Sequence, residues 1–225
     1  MVETSAKPIT FASEGLSLEG VLHQPGSAPF AAAAVCHPHP LHGGDMNNYV
    51  VTALCQALAE SGIAALRFNY RGVGGSEGKF GDGVGERADA AAALAHLRHL
   101  AEVTPGKVSI IGYSFGAAVA LVAADRDVAA VAAISTPTFG RGVPELVIRC
   151  PTLLISGEQD QIAPVDGLAA MAHLIGPQCQ VAIVRGADHF WWGQETKLAE
   201  VVAQFFRECL FGAAPSPSAS GPDQP

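Results

Sequence analysis

The sequence predicts an α/β protein: a mostly parallel eight-stranded sheet with helices on both faces. Short apolar, β-branched runs alternate with longer helical patterns from residue 31 onward, the order that builds parallel sheets. The runs are nearly continuous in apolar residues rather than alternating, as expected of strands covered on both sides. Composition agrees, with 49% hydrophobic residues against 15% charged in 225. That length fits a single domain with a sizeable core.

The elements follow in order. Ile9–Phe11 and Leu16–His23 read as two strands around the turn Ser13-Glu14-Gly15, an antiparallel hairpin that starts the sheet. Ala31–His37 is the first buried strand and empties into Pro38-His39-Pro40-Leu41-His42-Gly43-Gly44. Asn48–Ser61 spaces Val50, Val51, Leu54 and Leu58 on one face and ends at Gly62, which reads as a helix with a C-terminal glycine. Ala64–Phe68 is a strand, Arg71–Gly85 a glycine-rich loop and Glu86–Glu102 a helix. Val108–Ile111 is the central strand and Ala117–Ala124 an Ala-rich helix, favoured because Ala loses no side-chain entropy there. Val128–Ser135 is a strand, followed by a connection broken at Pro137 and Pro144. Strand Thr152–Ser156, helix Asp166–Ile175, strand Gln180–Val184 and helix Glu195–Leu210 complete the pattern. Residues 1–211 are therefore expected to form the domain, and 212–225, rich in Pro, Ser, Ala and Gly, a disordered tail.

Composition also bounds the partners. A formal charge of −8 and few clustered basic residues argue against nucleic acid or an anionic membrane. No basic-then-apolar leader opens the chain and no charge-free run of about 18 apolar residues crosses it. Five scattered cysteines, Cys36, Cys55, Cys150, Cys179 and Cys209, read as reduced core residues of a cytoplasmic protein.

The chemistry centres on Gly112-Tyr113-Ser114-Phe115-Gly116, a G-x-S-x-G turn between a strand and a helix. Such a turn crowds its backbone and leaves the serine at the tip, near the positive end of the following helix. The same pattern recurs at Gly74-Gly75-Ser76-Glu77-Gly78, but no strand ends there and no helix opens from it. Context therefore makes Ser114 the nucleophile and Ser76 a loop residue.

A serine needs a base, and the base an orienting carboxylate. Asp160 lies just past one later strand end and His189 just past the next, which brings all three to the sheet edge where ligands bind. Glu158 and Asp166 compete for the acid, His173 for the base, and Asp188 is too close in sequence to His189 to grip its ring. An oxyanion hole needs two backbone N–H donors. Phe115 supplies one; Pro38 and Pro40 have none to give, so His39 or Leu41 supplies the other, with His39 preferred. His37, His39 and His42 suggest a metal, but no carboxylate or Cys pattern completes a site, so a proline-shaped loop is the better reading and no metal or cofactor is expected. Trp191 and Trp192 either wall the substrate pocket or cover the core edge; Trp191 is taken with Phe139 as substrate-binding.

Together, His37-Pro-His-Pro-Leu-His-Gly-Gly44, Asn69-Tyr-Arg-Gly-Val-Gly-Gly-Ser-Glu-Gly78, the Ser114 turn, Gly157-Glu-Gln-Asp160 and Ala187-Asp-His189 resemble the α/β-hydrolase superfamily. Within it they resemble the lidless bacterial hydrolases related to dienelactone hydrolases and serine aminopeptidases. The resemblance spans Ala31 to Leu210 and implies the α/β-hydrolase fold without a cap domain. It also implies an acyl-enzyme on Ser114, with Asp160 and His189 completing the triad. Dienelactone hydrolases carry Cys at this turn; Ser114 here favours a carboxylesterase acting on short-chain, small-molecule esters. A small-peptide or aminoacyl peptidase is the runner-up, and a catalytically silent scaffold of the same fold the competing class. The oligomeric state is not legible.

Overall fold

The structure is a computed structural model that describes residues 3–137, 146 and 148–212. Two antiparallel strands, β1 (Thr4–Ser13) and β2 (Leu16–Pro25), open the sheet, and β3 (Phe30–Cys36) follows. Helix α1 (Tyr49–Glu60), β4 (Ile63–Phe68), α2 (Val84–His99), β5 (Val103–Tyr113), α3 (Phe115–Ala123) and β6 (Val131–Ile134) come next. Strand β7 (Thr152–Gly157), α4 (Asp166–Ile175), β8 (Cys179–Val184) and α5 (Glu195–Phe211) complete the order. The eight strands lie as β1-β2-β4-β3-β5-β6-β7-β8. Pairs β1/β2 and β2/β4 are antiparallel and the rest parallel, as the sequence predicts.

Alternation along the central strands sorts side chains into two cores. Ala32, Ala34, Leu66 and Phe68 face one side, with α2, α3 and α4 packed over them. Ala31, Ala33, Val35, Ile63 and Ala65 face the other, under α1 and α5. Alanine on both faces of β3 lets helices approach the middle of the sheet closely, and Leu, Val and Phe from those helices fill the space. Every residue of β3 is buried, which explains its unbroken apolar run.

Local signals set the ends of the elements. Asn48 caps α1 by accepting the Val50 N–H (3.0 Å). The buried Glu86 carboxylate takes the N–H groups of Gly83 and Gly81 at 2.7 and 2.8 Å, closing the first turn of α2. Asp89, also buried, binds Arg71 (2.8 Å) and the Ser13 hydroxyl (2.7 Å), and so pins the glycine-rich loop to the body.

Between β6 and β7 the chain has only residues 135–151, too few for a cap domain. Of the expected tail, Gly212 ends α5; 213–225 lie outside the described residues, as does Phe139. No helix among the described residues is long and apolar enough to cross a membrane.

Candidate active site

Strand β5 delivers Ser114 into a tight turn before α3. A Cβ on Gly112 would overlap the Gly116 carbonyl, and one on Gly116 the carbonyls of Cys36 and His37. Only glycine fits at either point, which is the physical content of the motif. Ser114 itself takes φ 55° and ψ −120°. It occupies the cap position of α3 yet makes no side-chain capping bond, so its hydroxyl remains available. Its N–H donates to Ile134 O (2.8 Å), tying the turn to β6.

The hydroxyl lies 3.0 Å from His189 Nε2. On the far side of the ring, Nδ1 lies 2.9 and 3.0 Å from the two Asp160 oxygens. The Asp160 side chain is fully buried and His189 nearly so. Burial works against the Asp160 charge, but the hydrogen bonds from His189 and the Ala163 N–H outweigh it and hold its pKa below the usual carboxylate value. The bond from Ala163 is 2.7 Å, with Ile162 N at 3.0 Å and the Ser156 hydroxyl at 3.2 Å. An ionised Asp160 selects the tautomer of His189 with hydrogen on Nδ1, leaving Nε2 free to accept from Ser114.

The competing residues are used elsewhere. Ser76 is buried, donating to Asn69 O (2.7 Å) and accepting from Glu19 N (3.0 Å). The exposed Glu158 accepts from Gly186 N (3.2 Å). Asp166 begins α4, and His173 is exposed on it. Asp188 accepts the N–H groups of Phe190 and Trp191 (2.9 Å each), shaping the loop that carries His189 rather than gripping its ring. Both nitrogens of His37 are taken: Nδ1 donates to Pro38 O (2.7 Å) and Nε2 accepts from Tyr70 N (3.2 Å).

Phe115 N–H belongs to the first turn of α3, where amides lack intrahelical partners. Leu41 N–H is occupied, donating to His39 Nδ1 (3.1 Å), which favours His39 over Leu41 as the second donor. The His39 ring packs against Phe115, Phe80 and His42, centroids 4.7 to 5.2 Å apart.

Trp191 is a correction. It was expected to bind substrate, but it is fully buried among core residues beneath α5, its Nε1–H donating to Ser135 Oγ at 3.0 Å. The exposed aromatics beside His189 are Phe190 and Trp192, at 50% and 70%. Trp192 stacks on Tyr49 (4.6 Å, 20°), and the Tyr49 hydroxyl donates to Phe190 O. Three supporting residues were missed from sequence: Ser135, Ser156 and Tyr113, whose hydroxyl donates to His189 O (2.7 Å). Each sits at or near the C-terminal end of a strand, the one signal that could have singled them out.

Two family models match the chain: X-Pro dipeptidyl-peptidase (S15 family) over residues 14–140 and the dienelactone hydrolase family over residues 81–204. An uncharacterised protein of Rickettsia prowazekii is 37% identical over 187 residues, 77% of each chain. Among solved structures, an alpha-beta serine hydrolase homologue from Coxiella burnetii is 34% identical with a TM-score of 0.80, covering 88% of this chain and 95% of that one. An a/b serine hydrolase without lid from Xanthomonas campestris is 28% identical with a TM-score of 0.83, covering 96% and 99%.

Proposed function

The chain belongs to the α/β-hydrolase superfamily, and from that premise we propose that it is a serine carboxylesterase cleaving short-chain esters. The observation that carries this reading is the unbroken line Ser114 Oγ–His189–Asp160, with all three contacts at 2.9 to 3.0 Å. His189 Nε2 takes the Ser114 proton as Oγ attacks the ester carbonyl. The tetrahedral oxyanion is held by the N–H groups of Phe115 and His39. Collapse expels the alcohol, protonated by His189, and leaves the acyl group on Ser114. Water then gives its proton to His189, attacks the acyl-enzyme and releases the acid. Asp160 stays ionised and steadies the imidazolium in both halves. No step calls for a metal or cofactor.

Serine rather than cysteine at the turn supports an ester or amide substrate. The substrate is a free small molecule, and the five free thiols support a reducing, cytoplasmic location. A fluorophosphonate probe tests the catalytic claim: stoichiometric labelling at Ser114, lost in Ser114→Ala, is expected. Absence of labelling on a folded protein would make it a silent scaffold. A panel of acyl esters, thioesters and aminoacyl amides tests the substrate claim, and fastest turnover of the amides would make it a peptidase.

A further inference from the structure

Three of the five non-glycine residues with positive φ among the described residues are Ser114 (55°), Ser135 (48°) and Trp191 (61°). All three lie on the chain that runs into or beside the triad. Strain of this kind persists only where the surroundings over-determine it. For Ser135 and Trp191 the surroundings are each other. Both are fully buried, one just past the end of β6 and the other two residues after His189, and their side chains meet at 3.0 Å.

The polarity of that contact is fixed by chemistry. An indole N–H can only donate, so Ser135 Oγ must accept, and its own hydrogen is free to point elsewhere. Ser135 N–H donates to Ile155 O (2.7 Å), which places the residue beside the end of β7, where the Asp160 loop begins. From the other direction, Gln159 N donates to Ala187 O (2.9 Å), joining the acid loop to the histidine loop.

We propose that Ser135 is a positioning residue: by accepting the Trp191 indole N–H at the end of β6, beside the end of β7, it holds the histidine loop against the strand end from which the Asp160 loop departs. The inference rests on the serine-hydrolase reading of the triad. The indole of Trp191 fills the core under the site, so packing and hydrogen bonding act on the same loop. Tyr113 fixes the backbone of that loop at His189 O, and the Trp191 bond fixes it again two residues on. His189 is thereby held to both partners at once: Ser114 on its open side and Asp160 on its buried side.

Ser135→Gly is the variant that isolates the hydroxyl, because glycine accepts the positive φ without strain. The chain has two tryptophans, so its indole N–H resonances report Trp191 and Trp192 separately. The downfield resonance of the His189 Nδ1 proton reports the bond to Asp160. In Ser135→Gly, the Trp191 indole signal should move and the His189 Nδ1 proton should shift upfield or broaden into exchange. With p-nitrophenyl acetate, kcat should fall about tenfold while KM stays within about twofold, the pattern of lost positioning rather than lost binding. A moved Trp191 signal with an unmoved His189 proton and unchanged kcat overturns the proposal. Should Ser135→Gly fail to fold, Trp191→Phe, which keeps most of the ring volume and deletes the donor, is read by the His189 Nδ1 proton and kcat alone, an unmoved proton with unchanged kcat again overturning the proposal; failure of both marks the pair as purely structural and also overturns it. If the wild-type protein neither turns over esters nor takes the fluorophosphonate, the esterase reading falls. The His189 proton of the folded variant then decides this inference alone.

Discussion

Ser114 sits at φ 55° and ψ −120°, a conformation that costs a residue bearing a Cβ about 1–3 kcal/mol. Alanine at this position keeps the strain and loses the hydroxyl; glycine loses both. Ser114→Ala should therefore abolish turnover while folding normally, and Ser114→Gly, equally inactive, should be more stable than Ser114→Ala by about 1 kcal/mol in urea unfolding. Equal stability of the two variants would mean the turn is not strained in solution. At Asp160 the expectation concerns chemistry alone. Asn offers Nδ1 a donor as readily as an acceptor, so His189 can settle in the wrong tautomer, and kcat should fall on the order of 10⁴. A loss below tenfold in Asp160→Asn, with a large loss in Glu158→Gln, would move the acid to Glu158.

At the scale of elements, the fold stands on how strand ends hand the chain into loops. His37 closes β3 and locks the following loop to Tyr70 and Pro38. Burial, opposed by the Pro38 bond and the Asp45 charge, lowers its pKa to about 4 from 6.5. The unfolded chain therefore takes up this proton first. Stability from His37 is full above pH 6.5 and is lost as pH falls toward 4, by about 3 kcal/mol at most. His37→Asn keeps a donor for Pro38 O and removes the titration. The stability gap between wild type and variant should thus narrow between pH 7 and 4.5; a constant gap would show that His37 is not buried neutral. Gly116→Ala is the harsher test of the same region. Its Cβ meets backbone carbonyls of β3 and the residue after it, which cannot step aside as side chains do, so a loss of about 1–3 kcal/mol or more in unfolding free energy is expected.

The elements also show which parts of the chain were legible in its sequence. Strand β3, apolar throughout, and α4 and the Ser114 turn, each with sharp end signals, were readable because one local pattern dominates each. Strand β1 reaches back to Thr4, well before Ile9, because an edge strand pairs through its backbone while its side chains face water; hydrophobic periodicity has nothing to detect there. Helix α2 stops at His99 and β5 begins at Val103, with a register shift against β3. The expected helix ran to Glu102 because Leu94, Leu97 and Leu100 continue its apolar spacing, yet Leu100 turns to extended backbone. Ser114, Asp160 and His189 were legible because each follows a strand end in a fixed order. Trp191 was not, because whether a loop aromatic points down into a core or out over a mouth depends on a backbone angle that composition does not carry. Trp191 points in and Trp192 out.

For the molecule as a whole, the esterase reading makes the interval between β6 and β7 the feature that should govern substrate size. Residues 135–151 are too few for a helical cap, and on the proposed reading the exposed Phe190 and Trp192 beside His189 would give an acyl chain a surface to lie against rather than a tunnel to enter. Complete burial of one CH₂ is worth about 0.8 kcal/mol, or roughly fourfold in kcat/KM when realised in the transition state. Four added methylenes inside a closed tunnel would then raise kcat/KM more than about a hundredfold. On an open surface each methylene keeps most of its contact with water, and that gain is not available. With p-nitrophenyl esters, kcat/KM should therefore peak between acetate and butyrate and decline by octanoate. Initial rates should rise smoothly through the solubility limit of the substrate, since no cap needs a lipid interface to open it. A maximum at decanoate or beyond, or an abrupt increase where the ester forms a separate phase, would show that the site is enclosed in solution and that its substrates carry long chains.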